Sequence, residues 1–178
     1  MLVASTASAG GGLGTREWVI NARVRHDYSR HDHDAYGAGV AAEVGLAGSG
    51  VVMLTAADVT LVRHADDGGV AVDATVGLTH PTWAADEDDV DAVPAPGTIN
   101  IVVAVPVRLG DAALLNALCT ATEAKTQALL AARVPGTGTA SDAVTVICPA
   151  TGPAEPFAGP RSVWGARLAR AVYGAVRP

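Results

Sequence analysis

The sequence is poor in aromatic side chains, cysteine and clustered positive charge, and it has no long apolar run. One Phe, three Trp and three Tyr stand among 178 residues that are 49% hydrophobic, so Ala and Val dominate the apolar content. Such small side chains fill space by close backbone approach, which predicts helices packed tightly on a sheet rather than a thick aromatic core. With two cysteines, Cys119 and Cys148, and no CxxC, a disulfide framework is excluded and the cytosol is the expected compartment. Lys and Arg total 12 against 18 Asp and Glu, a net charge of −6. Without a basic cluster to neutralise phosphates, nucleic acid is not an expected partner. No stretch reaches the roughly 18 apolar residues of a membrane helix, and MLVASTASAGGGLG lacks the basic start of a signal peptide.

What is present reads as one domain over residues 1–178. MLVASTAS is a short strand running into a Gly-rich turn, AGGGLG, and 17–24 is a second strand rich in β-branched residues. A polar loop leads to a helix near 35–47. Strand candidates follow at 50–57, 58–65 and 70–79, with ADDGG (65–69) as a hairpin turn. Residues 80–97 are acidic and Pro-rich, a long surface loop of the kind that often serves as a lid. TINIVVAVPVRL (98–109) is apolar on both faces and is expected to be central in its sheet. A long helix spans 110–134 with Asp111 as N-cap. A further strand lies at 143–149, and a final amphipathic helix at 161–176 places Trp164, Leu168 and Val172 on one face. The expected fold is an α/β layered sandwich, with a mixed sheet of six to seven strands and about three helices.

Several local signals have plain explanations. His26, His31 and His33 alternate with carboxylates, but metal ligands must converge, and we read this run as a solvated loop. GGGLG (10–14) has neither the Lys of a P-loop nor dinucleotide spacing; it is a tight turn or a set of backbone N–H groups near a ligand. The cysteines sit in apolar stretches without basic neighbours, as inert core thiols do. No GxSxG elbow is present. PGTIN (96–100) and GTGTASD (136–142) are more informative. Each leads into a buried strand, with Gly for close approach and Thr, Asn and Asp at a strand end, where open α/β sheets bind ligands.

The long helix carries the sharpest signal. At about 100° per residue, Leu114, Leu118, Ala121, Lys125 and Leu129 share one arc, flanked by Leu115 and Thr122. Asn116, Thr120, Glu123 and Gln127 lie opposite. Lys125 therefore falls inside the apolar stripe, where an unpaired ammonium is costly and normally finds a partner or a changed pKa. The alternative is a lysine that snorkels outward.

Taken in order, STASAGGGL (5–13), NARV (21–24), MLTAADV (53–59), PGTIN, ALCTATEAKTQAL (117–129), TGTASDAV (137–144) and GPRSVWGARLARAVY (159–173) resemble the adenosylcobinamide amidohydrolases, the CbiZ family. The resemblance covers nearly the whole chain. It departs from the family where Ala140-Ser141 replaces Gly-Thr, and where Ala9-Gly10-Gly11 replaces Asn-Gly-Gly, so no Asn role carries over there. The resemblance implies hydrolysis of the amide joining the corrin propionyl arm to aminopropanol, in corrinoid salvage.

Amide hydrolysis needs an activated nucleophile, oxyanion stabilisation and a proton for the amine. Lys125, Asp142, Glu123 and Thr139 are the catalytic candidates: Asp142 or Glu123 as base, and Lys125 as proton donor or oxyanion partner. A Ser or Thr nucleophile (Ser5, Thr6 or Thr139) stands beside direct water attack. Ser5, Thr6, Gly11, Asn21, Thr55, Thr98, Asn100 and Thr137 are the substrate-binding candidates. No cofactor and no metal is expected, and a homo-oligomer is compatible with the Ala-rich helices. A corrinoid carrier without catalysis, or a structural oligomer subunit, are the competing functions.

Overall fold

The computed structural model describes residues 1–25, 28, 30–87 and 97–177. Within them, β1 (Leu2–Ser5), β8 (Ala143–Cys148), β7 (Thr98–Ala104), β6 (Val70–Gly77), β5 (Arg63–Asp67) and β2 (Gly12–Thr15) form a mixed six-stranded sheet in the order β2-β1-β8-β7-β6-β5. Only the β7–β8 pair is parallel, and α2 (Asp111–Ala131) makes the crossover that a parallel pair requires. A separate parallel pair, β3 (Trp18–Arg23) and β4 (Gly50–Thr55), is bridged the same way by α1 (His33–Glu43). The expected mixed sheet and three helices are present. The strands divide between two sheets because β3 and β4 lie over the large sheet instead of extending it.

Side-chain alternation assigns the layers. Ile99, Ile101 and Val103 of β7, Val144 and Val146 of β8, Ala4 of β1 and Val70, Val72 and Ala74 of β6 all enter one core with α2 and α3 (Val163–Val176). The intervening positions turn to β4: Val3 of β1 and Ala143 of β8 pack with Val51 and Met53. On the outer side of the small sheet, Ala22 and Val52 pack with Val40 of α1. The order is thus α2 and α3, large sheet, small sheet, α1. Strand β7 is internal, as its two apolar faces require.

Four local readings change. AGGGLG is a turn only as far as Gly11, and Gly12 opens β2 against Ser5. Residues 58–65 are divided by a 3₁₀ turn, Val59–Leu61, whose Asp58 side chain accepts from the Thr60 N–H (3.0 Å) and hydroxyl (2.8 Å). The cap of α2 is Gly110, with Asp111 in the first turn making no side-chain cap bond. Thr120 is buried and donates to the Ala158 carbonyl at 3.0 Å, because α2 packs against α3 and its approach as well as the sheet. That second contact rotates the buried face toward Ala113, Ala117, Ala124 and Ala128. Of the lid expectation over 80–97, residues 88–96 lie outside the described residues, as does His26.

Candidate active site

The parallel β7–β8 pair sets the first cluster. Both strands start at one end of the sheet, so Gly97-Thr98 and the 136–142 loop meet there, and the C-terminal half of α2 passes over them. Lys125 points inward as the helical wheel requires, is 6% exposed, and forms an ion pair with Asp142. The Asp142 carboxylate accepts three further hydrogen bonds, from the Ile99 N–H (2.9 Å), the Thr139 N–H (3.1 Å) and the Thr139 hydroxyl (2.6 Å). One aspartate thereby fastens helix, loop and strand together. It is fully engaged as an acceptor, while the ammonium keeps two N–H donors that make no bond within the described residues. Gly138 lies against this pair: a Cβ there would overlap the Asp142 carboxylate and press on the Lys125 amine.

Hydroxyls line the neighbouring surface. Thr98 and Ser141 share a hydrogen bond of 2.9 Å, Ser141 donates to the Gly97 carbonyl at 3.1 Å, and the Thr139 hydroxyl, whose one proton is directed at Asp142, also lies 2.8 Å from that carbonyl. The loop is covered from outside by a bridge between Thr82 and Gly138. In it the Thr82 N–H donates to the Gly138 carbonyl and the Thr137 N–H to the Thr82 carbonyl, both at 2.8 Å. Thr137 also accepts from the Ala84 N–H at 3.0 Å. Glu123 is exposed on the outer face of α2, about 200° from Lys125, and is not brought to the cluster.

A second group occupies the seam between the two sheets. Ser5 pairs with Thr145 at 2.7 Å and accepts from the Ala7 N–H at 3.1 Å, while Thr145 donates to the Met53 sulfur at 3.2 Å. With Thr145 donating to sulfur, the Ser5 proton is directed at Thr145, and no carboxylate, imidazole or amine is among the partners of Ser5. Asn21 donates to Thr75 at 3.0 Å, and Asn100 donates to Asn21 at 2.8 Å and to the Leu54 carbonyl at 3.1 Å. Thr55 is buried and accepts from the Ala57 N–H at 3.0 Å. Thr6 is exposed at the end of β1, its hydroxyl accepting from the Val144 N–H at 3.0 Å. Gly11 is held by packing, since a Cβ there would collide with the Ala7 carbonyl, and its own carbonyl accepts from Arg16 at 3.0 Å.

Ser141, Gly138, Thr75 and Thr145 belong to these networks and were not singled out from the sequence. Thr75 and Thr145 were legible as isolated polar positions in apolar strands, a period-2 signal for a polar strip on one face. Among the described residues, no three His, Cys, Asp or Glu side chains converge as metal ligands would; His33 opens α1 and bonds the Arg30 carbonyl at 2.7 Å. Both cysteines are free; burial pushes the Cys148 thiol pKa up, whereas Cys119 is exposed on α2 and is not the core thiol expected from its apolar neighbours.

No solved structure matches the chain. A protein of Halobacterium salinarum named adenosylcobinamide amidohydrolase is 41% identical over 132 residues, which cover 71% of this chain and 56% of that protein. The chain thus spans little more than half of that relative. A protein of Methanosarcina mazei with the same name is 27% identical over 176 residues, 94% of this chain and 84% of its own length. The family of adenosylcobinamide amidohydrolases, CbiZ, matches residues 1–178. The ordered segments that resembled this family in the sequence are thus matched from end to end, and the chain belongs to the adenosylcobinamide amidohydrolase family.

Proposed function

We propose that this chain, acting as one domain, hydrolyses the amide between the corrin propionyl arm and aminopropanol of adenosylcobinamide. Water adds to the carbonyl carbon, the C–N bond breaks, and the amine leaves with a proton as 1-aminopropan-2-ol, giving adenosylcobyric acid. The observation that carries this reading is the buried Lys125–Asp142 pair beneath Thr-rich loops at one end of the sheet. The two N–H donors of Lys125 that make no bond within the described residues suit a carbonyl oxygen that gains negative charge, a role worth about 3–4 kcal/mol in comparable sites. Asp142 and Thr139 hold that amine in place. The hydroxyls of Thr98 and Ser141 face the same end, where a flat substrate fringed with amides needs hydrogen-bond partners. We place the reaction in the cytosol, consistent with two free cysteines. Among the described residues no helix is long and apolar enough to cross a membrane.

The test is to incubate the purified protein with adenosylcobinamide and follow cobyric acid by mass. Conversion is expected; binding without cleavage would overturn the reading. Lys125→Met is expected to fold and to lower kcat by at least about 100-fold. A folded variant with full activity would remove Lys125 from the mechanism.

A further inference from the structure

The seam between the sheets holds an acceptor that has no donor among the described residues. Asn100 is 1% exposed. Both hydrogens of its amide are engaged, one by the Asn21 side-chain oxygen and one by the Leu54 carbonyl. Turning the carboxamide over would set oxygen against those two acceptors, so its orientation is dictated by its neighbours. The Asn100 Oδ1 atom is then buried with no hydrogen-bond partner among the described residues. Buried carbonyls are normally paired, and one that is not calls for a donor from outside the chain.

Its surroundings indicate what kind of donor. The side chains around it are neutral: Asn21, Thr75 on the adjoining strand position, and Thr98 two residues along the same face of β7. An ammonium entering here would find no carboxylate among these groups, whereas the N–H of an uncharged carboxamide fits a lone amide oxygen. On this face of β7, Thr98 lies between Asn100 and the end of the sheet where Thr6 and Ser141 are exposed, and α2 with Lys125 packs on the opposite face. A ligand wide enough to reach both faces around that end would place one fringe group in the seam and its reacting arm at the ion pair.

We infer that Asn100 Oδ1 accepts a hydrogen bond from one of the carboxamide groups fringing the corrinoid substrate, making Asn100 a specificity-determining residue. This rests on the hydrolase reading for the identity of the ligand, but its test reads binding alone.

The probes are cobinamide, which carries carboxamide arms, and a corrinoid whose arms are methyl esters and offer no N–H. Their Kd values are measured by absorbance titration against the wild-type protein and Asn100→Ala. Wild-type protein should prefer the carboxamide form, and Asn100→Ala should narrow that preference by about tenfold, the value of one neutral hydrogen bond. Arg170→Ala, at the far edge of the sheet and outside the seam, should leave the preference unchanged. An unaltered preference in Asn100→Ala would overturn the inference. So would a crystal structure with an ordered water on Oδ1 both with and without corrinoid. Should Asn100→Ala fail to fold, equal wild-type affinities for the two probes would overturn it as well. If cobinamide binds with this preference yet adenosylcobinamide is not cleaved, the subsite stands and the hydrolase reading fails.

Discussion

The two faces of the six-stranded sheet are built from the same strands and do opposite things. Toward α2 and α3, every second residue of β7 is a buried aliphatic: Ile99, Ile101 and Val103. Toward β3 and β4, the alternate positions carry Thr98 and Asn100, joined by Thr75 of β6, Thr145 of β8 and Ser5 of β1. The first face is held by area and close packing, to which any aliphatic of suitable volume contributes. The second combines a small apolar cluster around Val3, Val51, Met53 and Ala143 with hydrogen bonds between specific atoms, where losing one partner strands another. A face of that kind is poor for economy of stability and good for recognition. The Lys125–Asp142 pair sits where the two meet, reached by the helix of the apolar face and the loop that enters the polar one.

Breaking this junction should have the largest effect. Asp142→Ala leaves the buried Lys125 amine and the N–H groups of Ile99 and Thr139 without their acceptor, at a cost of about 3–5 kcal/mol in chemical denaturation. An unchanged midpoint would show that the pair does not fasten the layers. Within the apolar face, Leu114→Ala should destabilise by about 3 kcal/mol through its cavity, with corrinoid affinity of the folded fraction unchanged. Thr145→Val in the polar seam should cost about 1 kcal/mol, since it removes the partner of Ser5 while filling the same space. If Thr145→Val proves costlier than Leu114→Ala, the contrast between the faces is wrong.

The smallest effect is expected at the far edge of the apolar layer, where Arg170 of α3 binds Asp67 at 2.6 Å and 2.8 Å. The hydrogen bond from Arg170 holds the Asp67 carboxyl below its ordinary value of 3.8. A lowered carboxyl pKa stabilises the fold above about pH 4, and that contribution is lost as pH falls through the lowered value. Arg170→Ala should therefore lower the thermal midpoint slightly at pH 7, and the difference from wild type should shrink below about pH 4. A difference that grows on acidification would contradict the assignment.

Much of this arrangement was legible in the sequence because it depends on periodicity. The wheel of the long helix placed Lys125 inward and Glu123 outward, and the structure has Lys125 buried and Glu123 exposed. The strands within 98–109 and 143–149 were legible from apolar-rich runs, although β7 stops at Ala104, two residues before Pro106. Thr120 was misplaced on the polar arc because a wheel has one apolar direction, and α2 packs on both a sheet and a helix. Residues 58–65 looked like a strand from their β-branched content, yet the Asp58 cap turned the chain first. The Thr-rich segments were recognisable as strand-end loops, but nothing local showed that Thr98 would pair with Ser141 or that one carboxylate would bind both segments.

The sequence by itself determined most element types, the inward lysine, the polar strand-end loops and the family. These follow from spacing along one chain, which backbone geometry converts directly into faces. Only the tertiary structure decided that two sheets form rather than one. It also decided that Asp142 is the partner of Lys125, and that Asn21, Thr75 and Asn100 meet in a seam with one oxygen left open. Those contacts join residues 17 to 79 positions apart, and their energies depend on the burial and orientation that the packed layers create.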